Sequence, residues 1–380
     1  MRAKTLLTIV LGFVFVFQPL NAQTWEASKR LTWNSGYSEY PAIAVDAINH
    51  LHVVWHDETP GNREIYYKKS TNGGATWVNS KRLTWNLGGT FAPAIAVGSG
   101  NTIHVVWSDK TPGNSEIYYK KSTNGGVTWG VTRRVTWTAG NSASPEIAVD
   151  SGGTIHIVWS DWTPGNTEIY YKRSTDGGVT WGGFKRLPWS SGNSSHPAIS
   201  TDSSNNIHVV WADNTPGHYV MYYKRSTDGG VTWSGVKRLT WGFAAAALPD
   251  IAIDSSNTIH LVWSGGFEIY YKKSTNGGLT WDSAKRLTWN SGLSSNSALA
   301  VDSGNTIHVV WGDWTSGNAE IYYKKSTNGG LTWDSAKRLT WNFGDSKFPT
   351  VATDSNDSIH VVWQNDTSSK SEIYYRKGIQ

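Results

Sequence analysis

Pro41-Ala42-Ile43-Ala44-Val45, Leu51-His52-Val53-Val54-Trp55, Glu64-Ile65-Tyr66-Tyr67-Lys68-Lys69 and Lys81-Arg82-Leu83-Thr84-Trp85 are the four segments whose reading decides the fold. Each is short and rich in β-branched and aromatic residues, the composition of a strand. Asp46-Ala47-Ile48-Asn49, Thr59-Pro60-Gly61-Asn62 and Asn72-Gly73-Gly74 separate them, all with turn chemistry. The unit then recurs. The tryptophan of Arg-Leu-Thr-Trp, or its Val and Pro variants, falls at 33, 85, 137, 189, 241, 289 and 341, in steps of 52 with a single step of 48. His-x-Val-Trp ends at 55, 107, 159, 211, 263, 311 and 363. Seven units of four short antiparallel strands predict an all-β chain, a seven-bladed β-propeller of four-stranded blades.

The ends of the chain fit this arithmetic. Thr24-Trp25-Glu26-Ala27-Ser28-Lys29-Arg30-Leu31-Thr32-Trp33 matches Thr280–Trp289, so the repeats start inside a third-to-fourth-strand hairpin. They stop at Glu372-Ile373-Tyr374-Tyr375-Arg376-Lys377, just after a third strand. Residues 28–33 are therefore expected to complete the last blade, which removes the open sheet edges. Ahead of the repeats, Met1-Arg2-Ala3-Lys4 is positive, Thr5 to Phe17 is apolar, and Leu20-Asn21-Ala22 offers small residues for cleavage. This is the pattern of a secretory signal peptide over 1–22, leaving a propeller over 23–380 in a secreted or periplasmic protein. The apolar stretch is too short to span a bilayer, which takes about 20 residues.

Composition narrows the functional classes. The 380 residues include no cysteine, which excludes a disulfide scaffold, a thiol nucleophile and cysteine-ligated metal. Net charge is +5, falling to +3 without Arg2 and Lys4, and acidic and basic residues interleave. Nucleic acid is not an expected partner. The seven histidines of His-x-Val-Trp each belong to a different blade, and packed sheets lie about 10 Å apart, too far for a shared metal. They are expected to be packed and hydrogen-bonded, with no metal and no cofactor. The aspartates after the second-strand tryptophans, such as Asp57 and Asp109, are expected to cap turns.

Ser174-Thr175-Asp176-Gly177-Gly178-Val179-Thr180-Trp181 resembles the Asp-box, or bacterial neuraminidase repeat, of sialidase-like propellers. Six full copies occur, with Asp at 176 and 228 and Asn at 72, 124, 276 and 328. The resemblance covers essentially residues 23–380 and implies a box that builds the fold on the face opposite the active site. It also implies what an enzyme would need: three arginines for a carboxylate, a Tyr/Glu nucleophile pair, an Asp acid and an Arg-Ile-Pro sequence. There is no Arg-Ile-Pro, and only Arg63 is expected in a loop at the mouth. The best remaining catalytic constellation is Tyr37, Glu39, Tyr40, Asp57 and Arg63, all in the first blade.

The seven copies differ from one another mainly in two loop types that share one face. Tyr37-Ser38-Glu39-Tyr40, Gly89-Thr90-Phe91-Ala92, Asn193-Ser194-Ser195-His196 and their counterparts have nothing in common. Glu58, Lys110, Trp162, Asn214 and Trp314 occupy one variable position, and Arg63, Ser115, Thr167, Tyr219 and Ala319 another. Divergence confined to one face predicts a recognition surface built from Tyr37, Tyr40, Glu58, Arg63, Phe91, Trp162, His196, Tyr219 and Trp314. Aromatic rings beside Asn, Asp and Ser suit stacking on sugars and bonding to hydroxyls. The expected function is a monomeric, non-catalytic glycan-binding or scaffold module. The alternatives are an exo-sialidase or related glycoside hydrolase, and a protein-interaction platform.

Overall fold

The computed structural model describes residues 23–242, 245–367 and 370–380; the expected signal segment 1–22 lies outside them. Seven antiparallel sheets follow one another around a central channel. Blade 1 is Ser38–Val45, Leu51–Asp57, Glu64–Ser70 and Lys81–Arg82, from the channel outward. Blades 2 to 6 repeat this order, and blade 7 is Asp345–Thr353, Ile359–Asp366 and Ser371–Ile379. Lys29 pairs with Tyr375 and Arg30 with Tyr374, the register that Lys81 and Arg82 keep with Tyr67 and Tyr66. The N-terminal segment thus closes the ring, and Thr24–Trp25 extends the closure by pairing with Ile379 and Gly378.

The second strands carry the core because both of their faces are covered. Leu51–Asp57 is buried at every residue, and so are its counterparts from blade 2 to blade 6 apart from Thr102 at the start of the longer blade 2 strand. Alternation sends Trp55 and Val53 toward blade 7 and Val54 toward blade 2, so each inter-blade layer mixes residues of two sheets. The closing layer, Leu51, Val53 and Trp55 on Val362, Ile373 and Tyr375, is built like the others.

The face away from the variable loops is held by repeated polar bonds. In each box turn the Asn or Asp side chain accepts from its own backbone; Asn72 Oδ1 takes the Thr76 N–H at 2.9 Å. Gly74 has φ +86, and a Cβ there would lie 2.0 Å from the Tyr375 hydroxyl of the preceding blade. The histidines stay within their own blades: His52 Nδ1 lies 2.8 Å from the Tyr67 hydroxyl and Nε2 3.2 Å from Asp46. Neighbouring blades are stitched by Ser151 to Asn205, Ser203 to Asn257, Ser255 to Asn305, Ser303 to Asp357 and Ser355 to Asn49. The last of these joins blade 7 to blade 1.

One tryptophan series departs from the packing role its regularity implies. The tryptophans of Arg-Leu-Thr-Trp are solvent-exposed in all seven copies. They follow a two-residue outer strand with no further sheet to cover it.

Candidate functional site

Every first strand is broken near its start by one extra residue. In blade 1, Glu39 pairs with His56 and Ala42 with Val54, so Tyr40 and Pro41 together oppose Trp55. The residue before the shift takes a left-handed conformation in all seven blades: Tyr40, Ala92, Ser144, His196, Leu248, Asn296 and Phe348 have φ between +47 and +54. None is glycine, and six precede proline, which ordinarily holds its predecessor extended. Each such residue costs roughly 1–2 kcal/mol, which the surrounding sheet must offset. The bulge turns the strand so that these residues and their successors line a cavity of about 640 Å³ at one mouth of the channel.

The residue after the proline points to the two most unusual groups in it. That position holds Ala42, Ala94, Glu146, Ala198, Asp250, Ala298 and Thr350. Two carboxyls therefore stand among methyl groups, on blades 3 and 5. Asp250 is anchored, accepting the backbone N–H groups of Ile251 and Leu299 at 2.8 Å each. Burial pushes it up to about 6 despite those bonds. Glu146 is open to the cavity but ringed by protein, and desolvation together with the Asp250 charge pushes it up to about 8. At neutral pH the pair presents one protonated and one ionised carboxyl. His196, on the blade between them, is held neutral by burial.

The opposite wall is aromatic and basic. Tyr40 stacks on Phe348 at 4.4 Å and on His56 at 5.3 Å. Glu39 lies 3.2 Å from His56 Nε2 and 3.6 Å from Arg63. The His56 bond holds the Glu39 carboxyl below its usual range against the effect of burial. Arg63 also pairs with Glu58 at 2.6 Å and lies over the Phe91 ring at 5.0 Å, which Lys110 approaches at 4.8 Å. Gln364 of blade 7 reaches the Tyr40 N–H at 3.3 Å, and Lys347 pairs with Asp366 at 2.6 Å. A second cleft of about 430 Å³, between blades 2 and 3, brings Phe91, Lys110 and Trp162 together.

The sequence-derived residues thus separate. Tyr40 and His196 line the cavity, Phe91 and Trp162 the neighbouring cleft, and Glu39, Glu58 and Arg63 the network between them. Tyr37 is exposed but lines neither space. Tyr219 packs against the core between blades 4 and 5. Trp314 folds over its own blade, its ring 3.3 Å from where a Cβ on Gly312 would stand. Asp57 is buried and occupied by Ser38, the Trp55 indole, Asn34 and the Thr59 N–H. It caps a turn, as the repeated aspartates were expected to do. Glu146, Asp250, His56 and Gln364 escaped the reading. An alignment of the copies at x-Pro-x and at the residue after each second-strand tryptophan would have exposed all four.

No family model matches the chain, and no curated protein matches it either. Among solved structures it is similar to a polysaccharide lyase, a PL25 ulvan lyase, with TM-score 0.63 and 10% identity over 91% of this chain and 95% of that one. It is similar to the GH93 α-L-arabinofuranosidase of Fusarium graminearum, with TM-score 0.56 and 16% identity over 76% and 92%. A sialidase from Streptococcus pneumoniae gives 0.52 and 13% over 90% and 68%. The fold is that of a sialidase-like propeller. Its arginines, however, are engaged away from the mouth. Arg30, Arg82, Arg134, Arg186, Arg286 and Arg338 pair with the glutamates that open the third strands. Arg173, Arg225 and Arg376 donate to backbone carbonyls. Arg63 is the one arginine tied into the mouth network among the described residues.

Proposed function

We propose that the protein is a secreted, carbohydrate-binding propeller whose ligand enters the cavity opposite the box turns, and that it binds without cleaving. The carrying observation is the cavity's two-sided chemistry: a Tyr40–Phe348 stack on one wall and the Glu146–Asp250 pair on the other. A ring face meets the C–H side of a sugar, while one protonated and one ionised carboxyl bond to its hydroxyls as donor and acceptor. The printed names of the similar structures, a polysaccharide lyase, an arabinofuranosidase and a sialidase, support a saccharide ligand. A glycan array with residues 23–380 tests the reading. Binding that drops about tenfold or more in Tyr40→Ala and in Asp250→Asn is the expected outcome, and an array silent at high protein concentration rejects it.

One observation favours a second reading, glycoside hydrolysis. A carboxyl that keeps its proton near neutrality beside an ionised one is the pairing acid–base cleavage of a glycoside uses. Sialosides are disfavoured because one arginine cannot form a three-arginine carboxylate clamp. Release of reducing ends from neutral oligosaccharides, abolished by Glu146→Gln, would replace the binding reading with this one.

A further inference from the structure

The seven tryptophans of Arg-Leu-Thr-Trp are not held in place by core packing. Trp33, Trp85, Trp137, Trp189, Trp241, Trp289 and Trp341 are 62% to 80% exposed, whereas the second-strand series is buried. A large apolar ring left mostly in water gains little from folding beyond its cation contacts and invites association. All seven copies nevertheless keep it, while the next residue varies among Asn34, Thr138, Ser190 and Gly242.

Each ring sits at a junction between blades and is approached by at least one cation. The arginine of its own outer strand lies 4.3 to 5.8 Å from the ring centre, as with Arg186 over Trp189 and Arg286 over Trp289. In six copies a cation from the next blade approaches as well, including Lys68 over Trp33 at 5.3 Å, Lys272 over Trp241 at 5.6 Å and Arg376 over Trp341 at 5.7 Å. Trp189 lacks the second contact, and there Pro188 replaces the usual threonine. The two cations differ in charge balance. Six of the arginines are neutralised by glutamates. The next-blade cations form no direct ion pair among the described residues, although Lys68, Lys272 and Lys324 are buried and Asp282 and Asp334 act at longer range on Lys272 and Lys324. They donate to backbone carbonyls instead, Lys68 to Leu31 at 2.6 Å and Lys272 to Leu239 at 2.7 Å. At the junction of blades 4 and 5, Arg238, Trp241, Lys272 and Trp281 line a groove of about 630 Å³.

We propose that the outer circumference of the propeller is a second, multivalent binding surface for an anionic polysaccharide, one uronate or sulfated sugar per inter-blade groove. The indole supplies a flat face for the sugar's C–H bonds, and the excess positive charge of the arginine and next-blade cation beside it attracts the carboxylate or sulfate. Six such pairings around one ring suit a polymer that repeats the same unit, because each further contact becomes intramolecular once the first is made. This surface is separate from the mouth cavity and stands or falls without it.

The test uses residues 23–380 with polygalacturonate and dextran sulfate, and with uncharged dextran and polyglutamate as controls. Binding is read by quenching of tryptophan emission and by calorimetry. Both acidic polysaccharides are expected to bind, more weakly at high salt, with dextran and polyglutamate at least about tenfold weaker. The triple variant Trp85→Ala/Trp241→Ala/Trp341→Ala should lose about tenfold or more in apparent affinity, and Trp85→Ala alone about threefold or less. Tyr40→Ala should leave this binding unchanged. Should the triple variant not fold, as read by circular dichroism, Lys120→Gln/Lys272→Gln/Lys324→Gln carries the same expectation. Equal binding of dextran or polyglutamate overturns the proposal, as does full affinity in the folded triple variant. Loss of binding in Tyr40→Ala would assign the polysaccharide to the mouth instead and overturn it too.

Discussion

The two mouths of the channel are built from the same seven repeats and obey different rules. At one mouth, aspartates cap the turns between first and second strands in six blades, and four serine–asparagine bonds and one serine–aspartate bond tie five pairs of neighbouring blades together. The uniformity of those turns has a bonding reason. Where Ala47 and Gly153 replace the serine and the asparagine, the stitch is missing. At the other mouth the side chains bonding each blade to itself are largely kept, with Asp capping the turn in five blades and Glu opening the third strand in six, while those facing the channel change more freely. Variation there is permitted by geometry, so recognition is argued from what the changes brought in: two carboxyls, a stacked aromatic pair and an arginine network.

The largest expected difference between the faces comes from glycine. Gly126→Ala, in a box turn at φ +83, would place its Cβ 2.0 Å from the Tyr67 hydroxyl. It should destabilise by roughly 2–5 kcal/mol, combining left-handed strain with overpacking. Gly113→Ala, on the opposite face at φ +107 with nothing within 4 Å, should cost only the strain, about 1–2 kcal/mol. Urea denaturation of the two variants measures the gap, and equal losses would break the contrast.

Acid should attack the uniform side first. Burial depresses His52 and His104 to about 4 and lowers His156, His208, His260 and His360 as well. The unfolded chain then binds more protons than the folded one between pH 6.5 and about 4, so stability falls as pH drops through that window. Thermal melts across it should show a steep decline that His52→Gln and His104→Gln together reduce. A single stitch is smaller: Asn205→Ala should cost about 1 kcal/mol, against about 0.5 kcal/mol or less for Trp162→Ala at the other face.

The last effect runs the other way in pH. Glu146 rises to about 8 in the folded protein, so between the ordinary carboxyl range and pH 8 the folded state holds the extra proton. Its contribution to stability therefore diminishes as pH rises. Glu146→Gln should flatten that slope and raise the melting temperature at pH 9. An unchanged slope would mean the two carboxyls do not share the cavity's low-dielectric environment.

Much of the architecture was legible because its causes are local. Strand composition, turn residues and a 52-residue step specify four strands per unit, and the matching ends specify the clasp that Lys29 and Arg30 make with Tyr375 and Tyr374. The site was only half legible. Tyr40, Phe91, Trp162 and His196 showed themselves as variation, but Glu146 and Asp250 sit inside a strand whose pattern reads as an ordinary apolar segment. Trp33 and Trp55 are equally regular in the sequence, yet one is exposed and the other buried.

The chain by itself determined seven blades, their order and the histidine and box-turn bonding, since each depends on residues near one another or on a repeat that any copy reveals. Tertiary structure alone decided which side chains enter the channel and which tryptophans stay in water. The physical reason is that one extra residue in an inner strand reverses the direction of everything beyond it, and only pairing with the neighbouring strand places that residue.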